Sequence, residues 1–350
     1  MTAAAVIVDR PAGQPLLDVD RLTIDVRTRN THASVVRDVS LSVGVGEAVG
    51  IVGESGSGKS LTLRALLGVL PKGIEVSSGS ISYRGKVLVK DGRQTDKMRS
   101  LRGREIGMIF QDATSALDPV IRVGDQITES LRRHTGLGRR AANARTIELM
   151  DRMGIPDSRR RVRQYPHEFS GGMRQRVMIA MAIACSPSLL LCDEPTTALD
   201  VTTQTEILDL LAELRREQGL AVVFVSHDLG VVADVCERVC VMYCGQIIEA
   251  GARAEVFDAP RHPYTLGLIE SAPDIEAPSP ALVAIPGEAP DATAPPAGCR
   301  FNPRCPMPLE ECRSGGFPLI PLPGGRATAC IRHERTGSLR HRSGPEADGA

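Results

Sequence analysis

The octapeptide Gly53-Glu54-Ser55-Gly56-Ser57-Gly58-Lys59-Ser60 constrains this chain more than any other stretch. It completes the pattern G-x-x-x-x-G-K-[ST] directly after the apolar run Ala48-Val49-Gly50-Ile51-Val52. A strand, a glycine-rich turn and a helix in that order form a phosphate cradle in an α/β fold. Backbone N–H groups must turn inward to make an anion nest, and a larger Cβ would block the approach of a triphosphate. Lys59 then reaches the β and γ phosphates, the Ser60 hydroxyl ligates Mg²⁺, and the positive end of a helix predicted over 61–68 faces the same anion. The predicted cradle comprises Gly53, Ser55, Gly56, Ser57, Gly58, Lys59, Ser60 and Leu61.

Four further segments narrow the chemistry. Leu189-Leu190-Leu191-Cys192-Asp193 reads as a central parallel strand buried on both faces, with Asp193 at its carboxyl end, where open α/β sheets bind ligands. Asp193 is expected to hold Mg²⁺ and Glu194 to polarise the attacking water. Phe169-Ser170-Gly171-Gly172-Met173 opens an amphipathic helix with Ser170 as N-cap. That terminus is a second anion site, which the phosphate loop of the same chain does not need. Ser170, Gly171 and Gly172 are therefore expected to grip a γ-phosphate held by another subunit. Val222-Val223-Phe224-Val225-Ser226 ends in His227, and Ile109-Phe110 ends in Gln111.

Together these segments resemble the nucleotide-binding subunit of ABC transporters, with the motifs once each and in family order over residues 17–250. Gly53 to Ser60 is similar to the Walker A motif and Gln111 to the Q-loop. Ser170 to Met173 is similar to the signature, and Leu189 to Asp193 to the Walker B strand with Glu194 as catalytic carboxylate. Ala198-Leu199-Asp200 is similar to the D-loop and His227 to the switch histidine. The resemblance implies a RecA-like core, an antiparallel β subdomain and a helical subdomain inserted at about 112–170. It also implies an ATPase whose catalytic group is Glu194, His227, Gln111 and Lys59, with Ser60, Gln111 and Asp193 around Mg²⁺. One departure is evident: the first strand, Leu22 to Thr28, has no aromatic to stack on adenine, and Val26 falls at that place.

Composition sets limits. Lys+Arg and Asp+Glu both count 42 in 350 residues, which gives no reason to expect a nucleic-acid partner. The basic runs Arg132-Arg133-His134, Arg139-Arg140 and Arg159-Arg160-Arg161 read as solvated helix faces, since no aromatics interleave them. No apolar run is long enough to span a membrane and the first residues lack a leader pattern, so a cytosolic chain reaching a membrane through partners is expected. Residues 1–16 read as a flexible N-terminus, 17–255 as the ATPase domain, and Thr265 to Ser271 as a short helix. The Pro-, Ala- and Asp-rich stretch from Ala272 to Ala297 reads as an extended linker, and residues 334–350 as a disordered tail.

Between linker and tail, within an extension over 256–333, lies a small cysteine-containing module. Cys299, Cys305, Cys312 and Cys330 sit in a Pro/Gly-rich segment that cannot build its own core, and a metal centre is the expected staple in a reducing compartment. The spacings of five, six and seventeen residues match no standard template, so Zn²⁺ and an iron–sulfur cluster both stay open on spacing. The other five cysteines lie in apolar patterns and read as small hydrophobes.

Tyr165 to Arg176, His262-Pro263-Tyr264-Thr265, Ile285-Pro286-Gly287 and the four-cysteine region resemble the oligopeptide/dipeptide importer ATPases, a branch that also serves some nickel uptake systems. That resemblance implies a [4Fe–4S] cluster on the four cysteines and a heterodimer with a second ABC ATPase. It further implies two transmembrane permeases, an extracytoplasmic peptide-binding protein and a place on the cytoplasmic face of the membrane. Three rival readings fit less well. Repair-type cassettes carry a long coiled coil between Gln111 and Ser170, ribosome-acting types carry two cassettes, and a dead scaffold would have lost Lys59, Glu194 or His227.

Overall fold

The computed structural model describes residues 13–28, 32–196, 199–272 and 284–336. Residues 1–12, Ala198 of the D-loop, 273–283 of the expected linker and 337–350 of the expected tail lie outside the described residues. In chain order, β1 (Leu17–Arg27) and β2 (His32–Val43) begin one sheet. β3 (Ala48–Val52) opens a second and leads through the glycine-rich turn into α1 (Lys59–Leu67). The first sheet is completed by β4 (Ile74–Tyr83), β5 (Lys86–Lys90) and β6 (Arg93–Gln94). Then α2 (Asp96–Leu101) returns the chain to β7 (Ile106–Ile109).

A run of helices follows, within the interval expected for the inserted subdomain: α3 (Ala113–Ala116), α4 (Val123–Thr135), α5 (Arg139–Arg152) and α6 (Ser158–Arg161). α7 (Gly171–Ile183) leads back to β8 (Leu189–Asp193), then α8 (Val201–Gln218), β9 (Ala221–Ser226), α9 (Leu229–Val235), β10 (Arg238–Tyr243) and β11 (Gln246–Ala252). The chain ends with α10 (Arg253–Asp258), α11 (Pro263–Ser271), three short 3₁₀ turns, and the two-residue strands β12 (Ile320–Pro321) and β13 (Ala327–Thr328).

The small sheet is antiparallel, in the order β2-β1-β4-β5-β6. The large one runs β12-β13-β11-β10-β3-β9-β8-β7, parallel from β10 to β7. Its central strands β3, β8 and β9 are buried at every position, and apolar up to Asp193 and Ser226 at the ends of β8 and β9, because both faces are covered. The two-residue side-chain period then sends Ala48, Val52, Leu190, Cys192, Val222 and Phe224 into one core. Val49, Ile51, Leu189, Leu191, Val223 and Val225 go into the other. The basic runs on α4, α5 and α6 are largely exposed, in line with the sequence reading.

The cysteine-bearing region, expected as a small module between linker and tail, is joined to the cassette, because β13 pairs with β11 and extends the large sheet. Described residues 284–297 carry no helix or strand, yet Ile285 and Ala292 pack on the main core. Packing also reaches into the expected tail, where Thr336 is buried and its hydroxyl donates to the Arg261 carbonyl at 3.1 Å. Among the described residues, no helix is long and apolar enough to cross a membrane.

Candidate active site

The parallel strands β3, β7, β8 and β9 deliver the predicted residues to one edge of the sheet. The phosphate loop follows β3, Gln111 lies two residues past β7, Asp193 ends β8 with Glu194 next, and His227 follows β9. The loop takes its nest shape from Gly53, Gly56 and Gly58 at φ 150, 77 and 101°. Gly53 has a second reason to be glycine, since a Cβ there would lie 2.1 Å from the Met242 carbonyl oxygen.

Lys59 is buried, and its ammonium donates to the carbonyls of Gly53 at 2.7 Å and Glu54 at 2.9 Å. Burial pulls its pKa below that of an ordinary lysine, against the opposing pull of Glu194, Asp193 and Glu54. Those three carboxylates keep a cation favourable where the phosphates are expected. Ser60 donates to Asp193 Oδ1 at 2.7 Å, while Asp193 Oδ2 is buried with no hydrogen-bond partner. A buried, unsatisfied carboxylate oxygen beside a hydroxyl is a poor arrangement in isolation and a good one around a hard cation. Burial raises the Asp193 pKa, an effect that such a cation would reverse.

Glu194 is the centre of a second cluster. Its Oε2 lies 3.1 Å from Gln111 Nε2, which donates to it, and 3.2 Å from His227 Nδ1. Glu194 sits at φ 48°, left-handed for a non-glycine residue, and its N–H donates to Val225 O at 3.0 Å. Strain at such a position persists only where the surroundings over-determine it, which here aims the carboxylate along the sheet edge. The expectation that Gln111 sits with Ser60 and Asp193 differs from this arrangement, in which Gln111 is bonded to Glu194.

Ser170 caps α7 by accepting from Met173 N at 3.3 Å, and Ser170 and Gly171 are exposed. No hydrogen bond among the described residues joins 170–172 to the phosphate loop. The helix is tied to the catalytic strand by Gln175, whose amide donates to the Pro195 carbonyl just past Glu194. Val26 is partly buried on β1 opposite Ala33 and Ile74. Its sheet borders the phosphate loop through Val36 of β2, which faces Gly58.

The four predicted cysteines are all free thiols, and all line one cavity with His262, Phe301, Met307 and Phe317. The expected metal centre on them, a [4Fe–4S] cluster or Zn²⁺, is not supported by their arrangement. No three His, Cys, Asp or Glu side chains among the described residues form a group able to hold a metal ion. Burial pushes the Cys299 and Cys305 thiols up, and that of Cys330 to about 12. Neutral thiols packed against apolar walls are the result.

Three contacts escaped sequence reasoning. Tyr264 Oη accepts from Glu54 N at 2.8 Å, Arg304 pairs with the Glu54 carboxylate, and Arg300 donates to the Cys244 carbonyl. No spacing rule connects residue 54 with residues 264 or 304. The one available signal was local: arginines flanked by the predicted cysteines.

Comparison with known proteins agrees with this geometry. Residues 36–197 match the family described as ABC transporter, and residues 248–312 match the oligopeptide/dipeptide transporter C-terminal region. A Brucella ovis protein is 47% identical over 333 residues, covering 91% of this chain and 97% of the relative. Its name describes a peptide import ATP-binding protein. A Brucella abortus protein with the same description is 46% identical over 316 residues, covering 90% of this chain and 94% of the relative. Among solved structures, the dimeric post-hydrolysis state of the ATP-binding cassette MJ0796 bound to ADP and Pi superposes with a TM-score of 0.60 at 26% identity. The match covers 68% of this chain and 98% of that one. The cbiO1 subunit of the Clostridium perfringens cbiONQ transporter gives 0.58 at 27% identity, covering 70% and 92%.

Proposed function

The chain belongs to the ATP-binding proteins of ABC transporters, in the branch marked by the oligopeptide/dipeptide C-terminal region, and from that membership we propose that it hydrolyses ATP at the interface of a head-to-tail dimer to drive peptide uptake through membrane permeases. The convergence of Gln111 and His227 on Glu194, next to a buried lysine and an unsatisfied Asp193 oxygen, carries the reading. Peptide as cargo is supported by the names of the relatives at 46–47% identity.

In this reading Lys59 leaves the carbonyls of Gly53 and Glu54 for the β and γ phosphates, which replace those acceptors with full charges. Mg²⁺, held by Ser60 and Asp193 with Gln111 as a third proposed ligand once it leaves Glu194, would neutralise charge on the transferred phosphoryl group. Glu194 accepts a hydrogen bond from the attacking water and orients it. His227 is 57% exposed, against 12% for Glu194, and is free to turn toward a γ-phosphate. Gln111 lies between β7 and the helical insert, so its exchange of Glu194 for nucleotide would move the helices that meet the permeases. The exposed, capped start of α7 supports Ser170, Gly171 and Gly172 as anion ligands for a second subunit's nucleotide. Val26 is proposed to cover the adenine.

The proposed partners are a second, related ABC ATPase, two permeases and an extracytoplasmic peptide-binding protein, with this chain peripheral on the cytoplasmic face. Cys299, Cys305, Cys312 and Cys330 are proposed to hold a [4Fe–4S] cluster. Each iron takes one thiolate, so the thiols need to ring a cavity rather than meet at a point, and four thiols around one apolar-walled cavity suit that better than one Zn²⁺.

Glu194→Gln tests the central claim. Turnover is expected to fall about 10²–10⁴-fold, the usual share of a positioned acid–base group. MgATP affinity should stay within a few-fold of the parent, and an ATP-dependent dimer should accumulate on size exclusion. Equal loss of binding and turnover would remove Glu194 from its role.

A further inference from the structure

Glu54 is an anion placed in a loop built to receive anions. Its carboxylate belongs to the phosphate loop, a few ångströms of backbone from where a triphosphate must lie, and it interacts electrostatically with Lys59. Left unpaired, it would repel the phosphates and compete for the lysine. The structure gives it a partner from 250 residues away. Arg304 Nη1 donates to Glu54 Oε2 at 2.7 Å and Nη2 to Oε1 at 3.1 Å, a bidentate pair.

Arg304 is itself held with little freedom. Its Nε donates to Pro286 O at 2.9 Å, Nη2 to Ile285 O at 3.2 Å and Nη1 to Tyr243 Oη at 3.3 Å. With the two bonds to Glu54, all five guanidinium donors are used. The side chain is buried, lies over the Tyr243 ring at 6.0 Å, and its pairing holds it firmly in the charged form. The Glu54 backbone is fixed as well, through Tyr264 on its N–H and Lys59 on its carbonyl. Phe301, three residues before Arg304, packs against Tyr243 and Tyr264 with ring centroids 5.4 Å from each. A second link runs from Arg300 to the Cys244 carbonyl, and Gly245 N then donates to Ser57 O at 2.9 Å. The segment carrying Cys299 and Cys305 thus braces the phosphate loop from outside the cassette.

We propose that Arg304 is a positioning residue of the ATP site: by neutralising and anchoring Glu54, it leaves Lys59 and the loop N–H groups to the triphosphate, so the cysteine-bearing segment sets nucleotide affinity. The inference rests on the ATPase reading and makes a claim that reading does not contain. Removing Arg304 alone strands a carboxylate beside the phosphates, whereas removing both charges strands nothing. The two singles and the double should therefore not add.

The test uses the full chain carrying Glu194→Gln, so that equilibrium titration with MgATP reads binding without turnover. Arg304→Met is expected to weaken binding at least tenfold, and Arg304→Lys to recover part of the loss by restoring charge without the five-donor fork. Adding Glu54→Gln to Arg304→Met should return affinity to within threefold of Glu54→Gln alone. With Glu194 intact, Arg304→Met should raise KM for MgATP by the same factor while kcat falls less than threefold, a split that general destabilisation would not produce. Binding within twofold of the parent in Arg304→Met, or a double variant no tighter than Arg304→Met, overturns the proposal. Should Arg304→Met fail to fold, the double against Glu54→Gln decides: more than a threefold difference means that Arg304 acts otherwise than through the carboxylate. A parent chain that binds but never cleaves ATP would sink the ATPase reading and leave this comparison standing.

Discussion

Asp193 shows how single residues here are arranged for a ligand at the expense of the unliganded fold. Its carboxylate is fully buried, satisfied on Oδ1 by Ser60 and unsatisfied on Oδ2, and burial raises its pKa. A carboxyl whose folded pKa lies above its unfolded value adds stability at low pH and loses it as pH rises through the folded value. Without a cation, ionised Asp193 therefore destabilises the fold at neutral pH. Asp193→Asn, which imitates the protonated form, is expected to raise the nucleotide-free Tm at neutral pH by about 2 °C or more. It should also flatten the loss of stability above the ordinary carboxylate range, and abolish both hydrolysis and stabilisation by MgATP. Thermal denaturation across pH, with and without MgATP, checks all three. An unchanged apo Tm would mean that the carboxylate is adequately solvated. The aspartate's place at a strand end was legible in sequence, because four apolar residues ending in an acid have few other uses in a parallel sheet. Its missing partner was not, since satisfaction of a buried oxygen depends on every neighbour.

Among the elements, α7 links the exposed Ser170 turn to the strands that lead to Glu194 and Gln111. Ser170 caps it, Gln175 ties it to Pro195, and it lies against β7 so closely that a Cβ on Gly107 would meet the Ala182 carbonyl at 2.3 Å. Gly107 has an ordinary φ, so the need for glycine is purely one of approach. Gly107→Ala should push α7 away from the sheet and cost about 1–3 kcal/mol, as overpacking of a filled interface does. It should also lower turnover more than MgATP affinity, because the anion site proposed at the start of α7 moves while the chain's own phosphate loop does not. Denaturant melts and a KM-against-kcat comparison read the two parts, and equal loss in both kinetic constants would place Gly107 in general stability instead. The helix and its cap were readable from Ser170-Gly171-Gly172 followed by an apolar period. Its intimacy with β7 was not, because a glycine inside a strand pattern signals close approach without naming the neighbour.

Over the whole molecule, the C-terminal segment is joined to the cassette by β13 on β11, by Thr336 on Arg261, and by the Arg300 and Arg304 contacts beneath the phosphate loop. If the four cysteines hold a [4Fe–4S] cluster, the chain purified without oxygen should be brown with broad visible absorption and about four iron per chain. Cys312→Ser should bleach it, and stoichiometric zinc without iron would overturn the assignment. The P-loop, the acidic strand end, the capped signature helix and the order of the motifs are local patterns of side-chain size, charge and period. Those properties act over a few residues, so the chain's linear order was enough to read the α/β cassette and to nominate residues that the fold gathers at the ends of β3, β7, β8 and β9. The meeting of Gln111 and His227 on Glu194, the orphaned oxygen of Asp193, and the Arg304 brace on Glu54 join residues from 33 to 250 positions apart. Folding alone decided these, because whether a distant charge becomes a partner depends on which buried groups close packing leaves facing one another.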